Sequence, residues 1–228
     1  MRLSLRALEL CRVKFGKGCF CGFEQPDETL LDGLTEDSVR QDFEELSQNE
    51  MLAFTDDGVH ISALGQHILN MMLSPEQYIM LDNEAVGLRV RFYFRNTYYL
   101  CVIEDKSVTS DDSYERYTLQ LLPRLEQVIG SFVYALLPNR TLEQREDEIT
   151  GQAVWGVCKA WDKERTLVAE RTIWGNWHGE NIQYEVVESA NGVEGQPQTA
   201  DSDVSEFTNQ LTRWLFLQLS AGYQREEQ

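Results

Sequence analysis

Basic residues are scarce in this 228-residue chain, where 20 Lys and Arg face 38 Asp and Glu and the formal net charge is −18. Partners whose affinity depends on neutralising phosphates are therefore disfavoured, whether DNA, RNA or an anionic membrane surface. Long apolar runs are lacking too, since no stretch approaches the roughly 20 apolar residues of a membrane span. Charged residues interrupt the opening apolar positions, so no signal-peptide core forms. We expect a cytoplasmic protein with neither a nucleic-acid nor a membrane partner.

Cysteine is sparse, and its five positions form no framework. An odd, scattered set suits reduced thiols better than disulfides. Only Cys19 and Cys21 resemble a motif, and they supply two thiolates where structural zinc takes four ligands. The three histidines stand at no finger spacing, so we expect no metal.

Catalytic signatures are missing as well. Nucleophilic catalysis needs a Ser or Cys beside a base, and nothing in the sequence pairs His60, His67 or His178 with one. The abundant carboxylates single out no acid–base pair, and neither a Walker loop nor a dinucleotide fingerprint occurs. We expect no enzyme and no cofactor. A hydrolase with an unrecognised site, using Cys158 or His178, remains an alternative.

The chain is nevertheless rich enough in apolar residues, at 42%, to form a globular protein. Apolar spacing from Leu3 to Val13 predicts an opening helix that the glycines at 16 and 18 stop. Thr35 and Ser62 are candidate N-caps of two further helices, separated by a strand, an Asp-Asp-Gly turn and a second strand. Helices around such a hairpin are typical of a winged-helix module. We assign residues 1–73 to it and place four side chains in its core: Phe43, Leu46, Leu64 and Ile68.

The outward positions of its second long helix argue against DNA readout. They include Asp37, Arg40, Asp42, Glu44 and Glu45, which together repel phosphates more than they attract them. A protein-facing or purely structural module is the better interpretation.

Residues 74–228 read as an α+β domain of two similar halves, about 74–140 and 150–228. In the first half, "YIML", "GLRVRFYFR", "YYLCVIED" and "YTLQLL" alternate as antiparallel strands before a helix from Pro123 to Leu137. In the second, "VWGVCKAW", "TLVAERTIW" and "NIQYEVVE" precede a helix from near Asp203, after a flexible stretch "SANGVEGQPQTADSD". The apolar positions of the two helices match at a constant offset of 79 residues, which indicates pseudo-twofold character. They are Leu125, Val128, Phe132 and Leu136, then Val204, Phe207, Leu211 and Leu215.

Two tryptophans flank Gly175 and Asn176 at the predicted tip of a hairpin. Trp174 ends its strand, and we expect it to pack inward. Trp177 lies in the loop proper, from Gly175 to Gly179, and is the candidate partner-binding residue, because an exposed indole favours a partner.

The doubled layout, from "GLRVRFYFRNTYYLCVIED" through "PRLEQVIGSFVYALLP" and from "TLVAERTIWGNWHGENIQYEVVE" through "SDVSEFTNQLTRWLFLQL", resembles the EspG-type chaperones of type VII (ESX) secretion systems. It is also similar to uncharacterised Gram-positive proteins encoded with such systems. The resemblance implies a pseudo-twofold α+β fold and a non-enzymatic cytosolic protein that holds a helical, secreted substrate. Our leading hypothesis is such a chaperone or adaptor. The alternative from another class is a transcriptional regulator with a winged helix and a C-terminal sensing domain.

Overall fold

The computed structural model describes residues 1–16, 18–23, 34–83, 87–96, 98–105, 117–122, 153–161, 164, 166–178, 181–190 and 193–224. Within these ranges the protein is α+β, with four helices and one large antiparallel sheet. The helices are α1 (Leu5–Phe15), α2 (Glu36–Gln48), α3 (Ala63–Leu73) and α4 (Val204–Gln224). The strands are β1 (Arg2–Leu3), β2 (Leu52–Thr55), β3 (Gly58–Ile61), β4 (Gln77–Asn83), β5 (Leu88–Arg95), β6 (Tyr98–Asp105), β7 (Tyr117–Leu122), β8 (Ala153–Trp161), β9 (Leu167–His178), β10 (Asn181–Ala190), β11 (Val193–Glu194) and β12 (Gln198–Asp203).

The large sheet has ten strands in the order β1-β7-β6-β5-β4-β8-β9-β10, with β11 and β12 both paired to β10. Every adjacent pair is antiparallel. Strand β4 joins the two predicted halves, because Met80 lies opposite Arg91 on one side and opposite Val157 on the other. Both strand groups therefore belong to one sheet.

Side-chain alternation gives this sheet two buried faces. Toward α4 point Ile79, Phe92 and Cys158, in one cluster with Phe207 and Leu211 of that helix. We call this side the α4 face. On the opposite side, Tyr78, Tyr93 and Val102 pack with side chains of α1, α2 and α3. Residues 1–73 thus share a core with strands β4 to β7.

The N-terminal helices begin where the sequence predicts. The side chains of Thr35 and Ser62 accept hydrogen bonds from the backbone N–H groups of Ser38 and Gly65, which fixes the starts of α2 and α3. The two-stranded hairpin β2–β3 turns at Asp56 and Asp57, and Gly58 there has a φ of 121° that favours glycine. The predicted helices and hairpin of this segment are confirmed.

Two of the four predicted core residues of this segment, Leu46 and Ile68, are fully buried, whereas Phe43 and Leu64 are only partly buried against the same cluster. Val13, expected on the buried side of α1, is 54% exposed. Asp42, expected to face outward, is buried because Arg6 of α1 donates two hydrogen bonds to it, at 2.7 and 3.0 Å. The ion pair replaces water as the partner of that carboxylate.

The predicted strands before residue 123 are confirmed by β4 to β7, and the predicted helix after Asp203 is confirmed by α4, where Phe207, Leu211 and Leu215 are buried. The predicted helix from Pro123 to Leu137 lies outside the described residues. The prediction that residues 189–203 form a flexible stretch is partly wrong, because the last of them form β12, which pairs with β10. Backbone pairing with β10 orders a segment whose composition alone indicates a loop.

Candidate protein-binding surface

The face of the sheet opposite α4 changes character between β8 and β9. On β8, Val157 is buried against the N-terminal helices. On β9, the next strand outward, Trp174 is 39% exposed and the Glu170 side chain is 34% exposed. We call the side chains of β9 and β10 on this side the open face. They are Glu170, Thr172, Trp174, Gln183, Glu185 and Val187.

Strand register sets the order of side chains across the open face. Trp174 lies opposite Glu185 on β10 and opposite residue 155 of β8, and Thr172 lies opposite Val187 and Val157. At one end Lys159 pairs with Glu170, with 3.2 Å between Nζ and Oε1. Trp174, Thr172 and Val187 therefore lie between the carboxylates of Glu170 and Glu185 on the open face.

The prediction that Trp174 packs inward is wrong. The neighbouring residues Ile173 and Gly175 point to the α4 face, where Ile173 is buried and a Cβ on Gly175 would lie 2.4 Å from the Phe207 ring. Alternation then sends Trp174 to the other side. The tight approach of α4 to β9 is thus the cause of the exposed indole.

Trp177 lies in β9, opposite Ile182 of β10 and one residue before the strand ends at His178. The predicted loop from Gly175 to Gly179 is therefore too long, because the β9–β10 ladder continues through Asn176, Trp177 and His178. Trp177 is close to the hairpin end but forms part of the strand. Its role in binding stays a prediction.

The α4 face supplies a rigid support for the open face. The rings of Tyr184 and Phe207 are 5.8 Å apart. Gln218 of α4 joins two strands at once, since its carbonyl accepts a 2.6 Å hydrogen bond from Gln77 and its side-chain oxygen a 3.1 Å bond from Arg171. A helix fastened in this way holds β9 in place for a partner on the other side.

A second group of polar side chains is buried between the sheet and residues 18–23. Arg91 donates a 2.8 Å hydrogen bond to Glu104 and a 3.2 Å bond to the Gly22 carbonyl, and its guanidinium lies 4.4 Å from the centre of the Phe23 ring. Arg89 bonds Asp82 at 2.7 Å. Burial alone would lower the pKa of Arg91, but the contact with the Glu104 carboxylate acts against this and favours the charged guanidinium. We call Asp82, Arg89, Arg91 and Glu104 the ionic cluster.

The ionic cluster is suited to holding structure in place, because its hydrogen bonds join β5 to β4 and to β6. Burial raises the pKa of both Tyr78 and Tyr93, so these phenols stay protonated. The Glu104 carboxylate is neutralised by Arg91 at 2.8 Å. This cluster was not predicted, although Arg89 and Arg91 at alternate positions of the otherwise apolar β5 are a signal for it.

Three of the thiols, Cys11, Cys101 and Cys158, are buried. Burial raises the pKa of Cys11 to about 12 and raises that of Cys101 further. Cys158 is buried on the α4 face opposite Arg171. In β9, His178 lies seven residues beyond Arg171, the residue opposite Cys158, or about 23 Å at 3.3 Å per residue.

Within the described ranges, no group of three or more His, Cys, Asp or Glu side chains could hold a metal ion. No helix among them is long and apolar enough to cross a membrane. No protein-family model matches the chain, and no curated protein matches its sequence. The geometry defines the class of fold, an α+β protein built on one large antiparallel sheet, and among the described residues the face opposite α4 carries exposed side chains on β9 and β10.

Proposed function

We propose that this protein is a non-enzymatic cytoplasmic chaperone or adaptor, and that its open face holds a helix of a partner protein. The observation that carries the proposal is the unequal cover of one sheet face. Over β4 to β7 that face is buried by α1 and α3, whereas over β9 and β10 it presents an exposed indole. A partner helix on the open face would supply the layer that the chain's own helices supply next to it.

Strand order supports a pseudo-twofold relation between the two halves. Strands β4 to β7 form one meander, and β8, β9, β10 and β12 form another, with β4 and β8 adjacent at the centre. A twofold axis between β4 and β8 would relate the meanders strand for strand. The order of helices and hairpin in residues 1–73 likewise supports a winged-helix-like module, which packs on the first meander and on Val157 of β8.

This arrangement agrees with the resemblance to EspG-type chaperones of type VII secretion, whose substrates are helical proteins. On that basis the partner class we propose is a helical protein destined for secretion. The alternative of DNA binding has less support, since the exposed side chains of α2 include Glu36, Asp37 and Glu44.

The test is site-specific photo-crosslinking in extract of the native organism. A benzoylphenylalanine at Gln183, which is exposed on the open face, should give a covalent adduct with one helical protein. The matched control carries the same group at Phe216, which is 46% exposed on α4, and should give no such adduct. Adducts at both positions, or at Phe216 alone, would contradict the proposed surface.

The affinity of the purified protein for the crosslinked partner then identifies the side chain that anchors the partner. Aromatic anchors of an interface contribute at least about 2 kcal/mol, or roughly 30-fold in affinity, so Trp174→Ala should weaken binding by that factor. Trp177→Ala tests the sequence prediction in the same assay, with thermal unfolding measured on each variant. If Trp174→Ala leaves the affinity unchanged while the variant stays folded, the partner does not bind through the open face.

A further inference from the structure

A groove of about 340 Å³ lies between α2 and the β2–β3 hairpin, far in sequence from the open face. Its lining comes from one side of α2 and from one hairpin residue. The lining residues are Arg40, Phe43, Glu44, Ser47, Gln48 and Phe54. Those on α2 are spaced at i, i+3, i+4, i+7 and i+8, so the groove runs along about two helical turns, or roughly 12 Å.

Apolar side chains form the floor and one wall of this groove. Phe43 packs partly against the core beneath, and Phe54 on β2 is 61% exposed. Opposite Phe54 on β3 is Val59, itself 37% exposed. An exposed Phe beside an exposed Val, rimmed by polar residues, is typical of a surface that meets another protein.

The lining of the groove carries one cation, Arg40, and one anion, Glu44, and the segment around it is acidic. Residues 34–62 contain eight Asp and Glu, and Arg40 is their only Lys or Arg. Asp42 is neutralised by Arg6, but Glu36, Asp37 and Glu44 on α2 and Asp56 and Asp57 on the hairpin are exposed. Such a surface repels phosphates and attracts cationic side chains.

We propose that this groove binds a basic amphipathic helix of a partner protein. One apolar side chain of that helix seats between Phe43 and Phe54, and its Lys or Arg side chains face Glu44 and the hairpin carboxylates. In helix-in-groove binding the bound helix supplies apolar anchors at i, i+3, i+4 and i+7, and here Phe43 and Phe54 are the apolar lining residues that would contact them. The groove is separate from the open face, so an experiment can contradict one proposed binding site without contradicting the other.

The test uses a fluorescent 14-residue peptide of Leu and Lys with amphipathic helical spacing, and measures its Kd by anisotropy. Matched peptides are a scrambled Leu/Lys sequence and a Leu/Glu sequence with the original spacing. We expect the full chain to bind the amphipathic Leu/Lys peptide at least tenfold more tightly than either. In ¹⁵N spectra, shifts should concentrate at residues 40–48 and 54–59.

Two variants of the groove separate its apolar and charged contributions. Phe54→Ser should weaken the amphipathic Leu/Lys peptide at least tenfold, while Phe216→Ser, an equally drastic change of an exposed Phe on α4, should change its Kd less than twofold. Glu44→Lys should weaken binding and reduce its dependence on salt. If Phe54→Ser unfolds the protein, Val59→Ser replaces it as the variant that tests the apolar contribution.

Three outcomes would overturn the proposal. Equal binding of the scrambled peptide would show attraction to net charge alone. Loss of affinity in Trp174→Asp but not in Phe54→Ser would move the site to the open face. Binding of a labelled DNA duplex to the chain alone at low salt, lost in Phe54→Ser, would mean that the groove prefers nucleic acid.

Discussion

Arg91 shows how a charged side chain can be placed in the interior of this protein. It is 2% exposed, and its guanidinium meets Glu104, the Gly22 carbonyl and the Phe23 ring. These contacts come from β6 and from residues 18–23, which lie 13 and 69 positions away in sequence. The ionic cluster therefore fixes the 18–23 segment over β5. A buried pair of this kind specifies one arrangement of the chain more than it adds stability.

Breaking the Arg91–Glu104 pair should be costly. Arg91→Met leaves the Glu104 carboxylate buried without its main partner, so the free energy of unfolding should fall by about 3 kcal/mol. The double variant Arg91→Met/Glu104→Met removes both charges and should lose less than either single variant. Urea unfolding of the four proteins gives the values and their coupling.

The surface pair Lys159–Glu170 is the matched control, because its two side chains are 37% and 34% exposed. Lys159→Met should change stability by less than about 1 kcal/mol. If Arg91→Met costs no more than Lys159→Met, water reaches the ionic cluster and its structural role is wrong.

At the scale of elements, sequence periodicity predicted what is decided locally. The caps at Thr35 and Ser62, the Asp-Asp-Gly turn and strands β5 and β6 all follow from residues within one element or its neighbour. The errors occur where a distant element decides. "GNWHG" has the composition of a turn, yet Gly175 is in a strand. A glycine is needed there because α4 occupies the space that a side chain would fill.

The same limit applies to the candidate site. The sequence identified the tryptophan hairpin but placed Trp174 inside, since the side that α4 covers cannot be read from β9 alone. The groove beside α2 was missed because it needs both a helix face and a hairpin residue, Phe54, that are brought together only by folding. The exposed acids on α2, in contrast, were expected from helical spacing.

Gly175→Ala tests the close approach of α4 to β9. The new Cβ would lie 2.4 Å from Phe207 Cζ, and Phe207 is fully buried, so we expect a loss of about 1–3 kcal/mol in unfolding free energy from overpacking. Phe207→Leu replaces the ring with a smaller side chain. It should therefore lower the unfolding free energy less in the Gly175→Ala background than in the native chain. The readout is urea denaturation of the double-mutant cycle. A neutral or stabilising Gly175→Ala would place α4 further from the strand.

At the scale of the whole molecule, the segments read from the sequence as separate units share strands and cores. Strand β1 pairs with β7, so residues 2 and 3 extend the same sheet that ends at β10 and its partners. The central pair β4–β8 connects the halves over seven register positions, from Gln77–Ala160 to Asn83–Val154. Boundaries such as 73 and 150 stay predictions about sequence organisation, and the pairing favours unfolding as one cooperative unit.

Hydrogen exchange can test this cooperativity from one end of the chain to the other. Leu8 of α1 is fully buried in the N-terminal core, so Leu8→Ala should cost about 2–5 kcal/mol. If the molecule opens globally, amides of β6 such as Leu100 and of β9 such as Ile173 should lose the same protection, about 100-fold for a 3 kcal/mol loss. Phe54→Ser changes an exposed residue of the same segment and should leave the protection of both amides unchanged. Exchange at Leu100 that accelerates while Ile173 keeps its native protection would mean that residues 150–228 fold on their own.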